Sequence, residues 1–245
     1  MNKKVVMING SFRKKNTYKV LEQIAEILKD RDIEAEIINL FDHEIKDCTG
    51  CNEVCMKQGS CNVKDDMPMI RQKILDSDGL VLGSPVYLGN VSSKFKAFAD
   101  RTNEWYYKPE PAGKPVLLVV TTAITGTKDT LHFLDQFVIG LGARKGGSIT
   151  RTGANIDVPV QRNEIMQFLS LLQTDKKDYK PKMNELVTFQ VQKILAYNST
   201  EDENRFWKEK DWLDKHYYYD CRVNFAKKAY ANLIYKIISG ALKDK

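Results

Sequence analysis

The sequence has no long hydrophobic run. Its longest apolar stretch, Pro115 to Val120, is far shorter than the ~20 residues that span a bilayer. The first apolar segment, Val5 to Ile8, is also too short for the core of a signal peptide, so we expect a cytoplasmic protein. Hydrophobic residues make up 42% and charged residues 29% of the 245 residues, which excludes a wholly disordered or collagen-like chain.

Several common site motifs are also missing. Neither G-x-G-x-x-G nor G-x-x-x-x-G-K-[ST] occurs, so the usual dinucleotide and triphosphate fingerprints fail. There is no G-x-S-x-G and no H-E-x-x-H, and the three histidines form no metal-spaced pair. A hydrolase therefore has no support, and we assign no catalytic acid or base.

Alternating strand and helix patterns cover the first part of the chain. Apolar runs predict strands at 3–9, 33–40, 78–82, 115–122 and 143–150. Helical periodicity predicts helices at 17–29, from 66, at 93–101 and at 129–141, with Asn16 or Thr17 as a cap for the first. This alternation indicates an α/β fold with a five-stranded parallel sheet and helices on both faces, of the flavodoxin-like class. The strand order stays open.

The pattern changes beyond about residue 155. Only helices are predicted there, at 160–172, 184–196 and 224–242, so we expect a domain at 1–155 and a helical extension at 156–245. Six Lys/Arg against one Asp from Cys221 onward give +5 of the total +6, which leaves the first 220 residues at +1. The last helix is amphipathic, with an expected apolar face of Ala226, Tyr230, Leu233, Ile234, Ile237 and Ala241. Packing within the chain or against a second copy is favoured, and docking on a membrane surface is the less favoured alternative.

Two loops follow predicted strands at the same sheet edge. The segment from Asn9 to Thr17 leads into a helix N-terminus, which together with Ser11 and Arg13 suits a monophosphate. The segment from Gly83 to Asn90 is stiffened by Pro85 and offers the aromatic face of Tyr87, which suits a flat ring. Taken alone, the first could be a capped polar turn and the second a tight turn.

The two loops together carry a resemblance. G-S-x-R-x-x-N-T after the first strand, with G-S-P-V-Y and then S-x-x-K-x-F-x-D-R (Ser93 to Arg101), resembles the NADPH-dependent FMN reductase family over roughly residues 1–150. The resemblance implies that the 1–155 domain binds FMN and that NAD(P)H reduces the bound flavin. It implies a phosphate site of Ser11, Arg13, Asn16 and Thr17 and a ring site of Pro85, Val86, Tyr87, Gly89 and Asn90. A third flavin loop is expected at 121–126.

Four of the five cysteines, Cys48, Cys51, Cys55 and Cys61, form an insertion at 48–61 with spacing close to that of ferredoxins. The run resembles that of the iron–sulfur flavoproteins, a branch of the same family, although three residues instead of two separate the second and third Cys. A [4Fe–4S] cluster held by all four is favoured. Structural zinc, free redox-active thiols and a disulfide pair remain open.

These patterns predict an FMN-dependent oxidoreductase. Electrons would pass between NAD(P)H, or ferredoxin if a cluster is present, and a quinone, another small electrophile or a redox protein partner. The alternative is a non-enzymatic electron carrier of the flavodoxin type. The resemblance implies a homo-oligomer, because flavin sites in this family are often completed at a dimer interface. We expect no nucleic-acid partner, because the basic charge is confined to the tail.

Overall fold

The computed structural model describes residues 3–51, 55, 61–198 and 201–243. Within these residues the chain forms one five-stranded parallel sheet in the order β2-β1-β3-β4-β5. The strands are β1 (Lys4–Asn9), β2 (Glu34–Asn39), β3 (Gly79–Pro85), β4 (Pro115–Thr121) and β5 (Arg144–Arg151). This is the flavodoxin-like order, so the predicted fold class is confirmed.

Helices follow the strands and then form the C-terminal extension. Those of the α/β part are α1 (Asn16–Lys29), α2 (Met67–Asp76), α3 (Ser93–Asp100), α4 (Glu104–Tyr107) and α5 (Thr127–Gly140). Those beyond β5 are α6 (Met166–Gln173), α7 (Met183–Tyr197), α8 (Glu201–Glu209) and α9 (Phe225–Lys243). Among the described residues, no helix combines the length and apolar character needed to cross a membrane.

The sheet is buried on both faces because consecutive strand residues point to opposite sides. Val6 and Ile8 of β1 pack with the hydrophobic faces of α2, α3 and α5. Val5 and Met7, their neighbours, pack with α1 and α6 on the other face. Helix α6 thus belongs to the core of the α/β part, and its predicted start at 160 is wrong because a short 3₁₀ turn at Arg162–Ile165 precedes it.

A third hydrophobic core lies in the extension. It contains the buried aromatic residues Phe189, Trp207, Trp212, Tyr217 and Tyr218. The Trp207 indole N–H donates to the Tyr107 carbonyl at 2.7 Å, and the Gln192 amide donates to the Gly140 carbonyl at 2.7 Å. These bonds anchor the extension on the α/β part. The domain boundary near residue 155 stays a prediction.

The last helix packs with a different face from the one predicted. Tyr230, Leu233 and Ile237 of the expected apolar face are 48%, 53% and 58% exposed, whereas Ala231 is 2% exposed against the rest of the extension. The small side chain of Ala231 permits close approach to α7, and Lys227 donates to the Pro181 carbonyl at 3.1 Å. Of the predicted face, Ile234 is half-buried with Ile238 on the same side as Ala231, so the packed face is rotated from the predicted one.

Candidate flavin site

A cavity of about 350 Å³ opens at the carboxyl ends of the strands. Seven of the nine residues predicted to bind the cofactor line it: Ser11, Arg13, Asn16, Thr17, Pro85, Val86 and Tyr87. Gly89 does not line it, and Asn90 instead lines a second cavity that shares Tyr87. The structure therefore brings both predicted loops to one space, as expected where parallel strands end at a topological switch point.

The first loop presents an open helix N-terminus to this cavity. No side chain caps α1, so the expectation that Asn16 or Thr17 caps it is wrong, and Asn16 is already helical. The first turn carries no acidic residue, while the Arg13 and Lys15 side chains lie at the cavity. Unpaired N–H groups, the positive end of the helix dipole and nearby cations together form an anion site.

Hydrogen bonds fix the shape of this loop. The Asn9 side chain donates to the Ser11 carbonyl at 3.2 Å and accepts from the Ser11 amide at 3.2 Å. The Ser11 hydroxyl donates to the Arg13 carbonyl at 2.9 Å. The buried Thr17 hydroxyl lies 2.7 Å from the Thr121 hydroxyl, which ties the first loop to the end of β4. The loop is thus held in shape by its own residues.

The second loop ends in a two-residue turn. Tyr87 and Asn90 exchange backbone hydrogen bonds of 2.8 and 3.1 Å, and both intervening residues are left-handed, with φ of 49° at Leu88 and 77° at Gly89. Positive φ at both central positions is what a type I′ turn requires. Tyr87 remains 43% exposed at the cavity, so its ring is available to a flat ligand.

The third loop packs directly on the second. Gly126 precedes α5 with φ of 87°, and a Cβ built there would lie 2.7 Å from Val86 Cγ1 and 3.1 Å from Gly89 Cα. Thr121 and Thr122 line the cavity, as expected for the third flavin loop. Two further lining residues, Gly153 and Ile156, lie after β5 and outside all three predicted loops. Their position just after strand ends was the one available signal.

The cysteines are brought together at a separate place. Cys48, Cys51, Cys55 and Cys61 all line one small cavity of about 10 Å³, beside Arg101 and Glu104. Burial, followed by the neighbouring Cys61 and Cys51, raises the pKa of the Cys55 thiol to about 12. The thiol of Cys55 is therefore protonated at neutral pH unless a cation joins it. Cys221, the fifth cysteine, lies in the extension.

A buried ion pair closes the neck of this cysteine loop. Arg101 is 4% exposed, and its guanidinium bonds both Asp65 carboxylate oxygens and the Lys46 carbonyl. The Lys46 amide also donates to Asp65 at 2.9 Å, which joins the two ends of the loop. Burial opposes charge on Asp65, but the hydrogen bond from Arg101 keeps the pKa of this carboxyl below its ordinary value.

The residue types at this cavity fit an iron–sulfur cluster, because four thiolates are its usual ligands. The four cysteine sulfur atoms are not already spaced as cluster ligands. Within the described part of the chain, no three His, Cys, Asp or Glu side chains stand as metal ligands. The four thiols would have to separate to hold a cluster, since the space between them is smaller than the group.

Three loops at the carboxyl edge of a parallel sheet in the 2-1-3-4-5 order define a flavodoxin-like protein. Residues 3–150 match the model of the NADPH-dependent FMN reductases. The chain belongs to this family and, within it, to the branch of the iron–sulfur flavoproteins.

Individual relatives show the extent of this similarity. An iron–sulfur flavoprotein of Clostridioides difficile is 31% identical over 209 residues, which cover 80% of this chain and 88% of that protein. One of Archaeoglobus fulgidus is 46% identical over 99 residues, 40% of this chain and 48% of the relative, so the chain spans about half the length of that relative. The solved structure of RosB with a bound 8-demethyl-8-formylriboflavin-5'-phosphate shares the fold at 15% identity, with a TM-score of 0.54 over 89% of this chain and 83% of RosB.

Proposed function

We propose that this chain is an FMN-dependent NAD(P)H oxidoreductase that passes electrons to a quinone, another small electrophile or a redox protein. The observation that carries the proposal is the 350 Å³ cavity, where an uncapped helix N-terminus and the loop of Tyr87 meet. Family membership supports the same cofactor and donor. FMN, when bound, supplies hydride acceptance at its ring, and the protein supplies binding and orientation.

The phosphate end of the cofactor would lie on the first loop. There, backbone N–H groups of α1 donate to the anion, and Ser11, Arg13 and Asn16 line the space around it. Arg13 is exposed and free to close over the phosphate, whereas Lys14 pairs with Asp42 at 3.3 Å and does not line the cavity. Arg13 is therefore the side chain that we expect to bind the phosphate most strongly.

The ring end would lie on the second loop. Pro85 and Val86 provide apolar walls, and Tyr87 provides an exposed aromatic face. Gly89 and Asn90 would act through the turn that they form with Tyr87, because neither lines the main cavity. A site made of stiff loops on strand ends holds the ring in one orientation without side chains that take part in proton transfer.

Binding of FMN to the purified protein tests this assignment. Arg13→Ala should weaken binding about ten- to a hundredfold, because a charge-assisted hydrogen bond to phosphate is worth ~1.5–3 kcal/mol. Lys14→Ala is the matched control and should stay within about twofold. A protein that does not bind FMN at all overturns the proposal. Equal losses in the two variants overturn the proposed phosphate position.

Steady-state turnover separates an enzyme from an electron carrier. The FMN-loaded protein should oxidise NADH or NADPH in the presence of a quinone, and Arg13→Ala should lower turnover at limiting FMN. A carrier of the flavodoxin type would bind FMN equally well and show almost no NAD(P)H-dependent turnover. That result would replace the oxidoreductase with the carrier while leaving the flavin site in place.

We further propose that Cys48, Cys51, Cys55 and Cys61 hold a [4Fe–4S] cluster, which would give the protein a one-electron centre beside a two-electron flavin. Their shared cavity supports this ligand set. Anaerobic reconstitution with iron and sulfide should add a broad absorbance near ~400 nm that dithionite bleaches and that Cys55→Ser removes. Binding of one zinc per chain, or thiols that stay free after reconstitution, would contradict the cluster.

We also propose a homo-oligomer, with the exposed stripe of Tyr230, Leu233 and Ile237 as its contact. Light scattering after size-exclusion chromatography should show more than one copy, and Leu233→Glu should reduce it to a monomer. Membrane docking is the competing use of the same stripe. Flotation of the intact protein with anionic liposomes, abolished by Leu233→Glu in a protein that is monomeric throughout, would favour the membrane instead.

A further inference from the structure

A second and larger cavity lies at the opposite edge of the sheet. It measures about 560 Å³ and is bounded by residues at the amino ends of the strands, including Lys3 before β1, Lys114 before β4 and Arg144 at the start of β5. Lys176, after α6, closes another side. Because a strand of six residues is about 20 Å long, this cavity is well separated from the flavin site. Its size is in the range of small-molecule sites.

Four cations from different parts of the chain converge on this space. Lys3 donates to the Leu172 carbonyl, and Lys114 donates to the Ser77 carbonyl. Arg144 donates through Nε to the Gly113 carbonyl at 2.7 Å and through Nη2 to the Leu171 carbonyl at 3.1 Å. These partners are neutral carbonyls, so the hydrogen bonds do not neutralise the positive charges; nearby carboxylates offset part of the charge, Asp78 at Lys114 and Asp175 at Lys176.

Arg144 is the most informative of the four. It is 3% exposed, and its Nη1 atom is buried without a hydrogen-bond partner. Its guanidinium lies 5.8 Å from the Tyr179 ring, which gives partial but not ionic compensation. A buried cation with an unused donor is costly, and such a group is found where a ligand completes its bonding.

The carboxylates in the cavity wall have other partners. Asp78 accepts from the Lys4 amide at 2.8 Å, and Glu110 accepts from the Trp105 indole at 2.7 Å. Asp175 accepts from the Lys177 amide at 3.0 Å and pairs with the Lys177 ammonium at 3.5 Å. Among the residues that the structure describes, none of these three carboxylates forms an ion pair with the four cations.

The cations also disfavour one another. Burial, with a further contribution from Lys176, lowers the pKa of Lys114 to about 8. Burial and then Arg144 lower the pKa of Lys176. An anion in the cavity would relieve this repulsion and stabilise all the charged forms together.

We propose that this cavity binds a small metabolite that carries a phosphate ester or pyrophosphate group. Four converging cations suit a ligand with two or more negative charges, which a phosphate group carries at neutral pH and a single carboxylate does not. The site is independent of the flavin cavity, and its proposal does not rest on the proposed activity.

Calorimetric titration of the FMN-saturated protein with inorganic pyrophosphate tests the site. Saturable binding at one site per chain is expected, with no saturable heat from acetate at the same ionic strength. Lys114→Gln and Lys176→Gln should each weaken binding at least about fivefold, since each removes one charge from the cavity. Lys180→Gln is the matched control, because Lys180 is exposed and does not line the cavity, and it should stay within about twofold.

Three outcomes would overturn the proposal. One is the absence of saturable binding at millimolar pyrophosphate, and another is an equal loss in Lys176→Gln and Lys180→Gln. The third is loss of pyrophosphate binding in Arg13→Ala, which would place the anion on the loop before α1. Unchanged circular dichroism and melting temperature in the two lysine variants would show that a weaker affinity reflects the cavity and not the fold. Because the readout is pyrophosphate heat, failure of FMN binding would leave this test valid.

Discussion

Arg101 and Arg144 are almost equally buried, and they differ in what neutralises them. Arg101, 4% exposed at the neck of the cysteine loop, forms a bidentate pair with Asp65. Arg144, 3% exposed at the amino edge of the sheet, bonds only backbone carbonyls. Each leaves one nitrogen without a partner, Nε in Arg101 and Nη1 in Arg144, so the carboxylate is the real difference.

This difference separates a structural charge from one that is available to a ligand. The Arg101–Asp65 pair is complete within the chain, and it fixes where the cysteine loop begins and ends. The charge of Arg144 is neutralised only when an anion enters the cavity. The stability lost on removing Arg101 should therefore be independent of added anion, whereas the loss on removing Arg144 should grow when an anion is present.

The largest expected effect is at the neck. Arg101→Met should lower the free energy of unfolding by ~3–5 kcal/mol, because it leaves the Asp65 carboxylate buried without its partner. Urea denaturation measures the loss. Added pyrophosphate should not change this loss, because Arg101 does not line the cationic cavity, the one bounded by Lys3, Lys114, Arg144 and Lys176.

The matched control is Lys96→Met, which removes an exposed pair with Asp100 and should cost less than ~1 kcal/mol. The double variant Arg101→Met/Asp65→Leu should recover much of the stability, because no buried charge is left behind. If Arg101→Met is as mild as Lys96→Met, the ion pair does not hold the neck.

The next effect depends on ligand. Without anion, Arg144→Met should cost less than Arg101→Met, because it removes a charge that no carboxylate neutralises. Pyrophosphate at a hundredfold excess over its Kd should stabilise the wild type by ~2.7 kcal/mol and leave the variant unchanged. Thermal unfolding with and without pyrophosphate measures both, and equal stabilisation of the two proteins would contradict the site.

The contrast also shows what the sequence could predict. Strands, crossover helices and both flavin loops were readable because each is encoded by a contiguous run, such as Gly83 to Asn90. The cysteine run was readable for the same reason. The ion pair at the neck of the cysteine loop could not be predicted. Arg101 and Asp65 are 36 residues apart, and no local sequence pattern links them.

The cationic cavity was harder still to predict from the sequence. Lys3, Lys114, Arg144 and Lys176 are separated by long stretches of chain, and each is an ordinary residue in its local context. Only the register of a parallel sheet, which places every strand's amino end at one edge, brings the first three together. Gly153 and Ile156 at the flavin cavity were missed because they too depend on strand ends that meet in space.

A smaller effect concerns pH. The folded pKa of Lys114, about 8, lies below its ordinary value of 10.5, because burial and Lys176 outweigh Asp78 and Asp76. Between these two values the unfolded chain binds more protons, so this group makes stability rise with pH. Relative to Lys114→Met, the wild type should gain on the order of 2 kcal/mol across that window. Urea denaturation at several pH values measures this gain. If the free energies of unfolding of the two proteins change with pH in parallel, Lys114 is not a buried charge.

The smallest effect compares two glycines at opposite edges of the sheet. Gly126 at the flavin loops and Gly113 at the cationic cavity have φ of 87° and 79°, so alanine should cost each about 1 kcal/mol. Their neighbours differ. A Cβ at 126 meets Val86 and the Gly89 backbone, whereas a Cβ at 113 meets the flexible Lys176 chain at 2.9 Å.

Gly126→Ala should therefore displace the second flavin loop and weaken FMN about tenfold, while pyrophosphate binding stays unchanged. Gly113→Ala should shift Lys176 and weaken pyrophosphate about threefold, while FMN binding stays unchanged. Each variant is the other's control, because the backbone strain is nearly the same and the contacted neighbours differ, Val86 and Gly89 at 126 against Lys176 and Tyr219 at 113. If both variants weaken both ligands, the two edges are coupled through the sheet, and the cavities cannot be treated as independent sites.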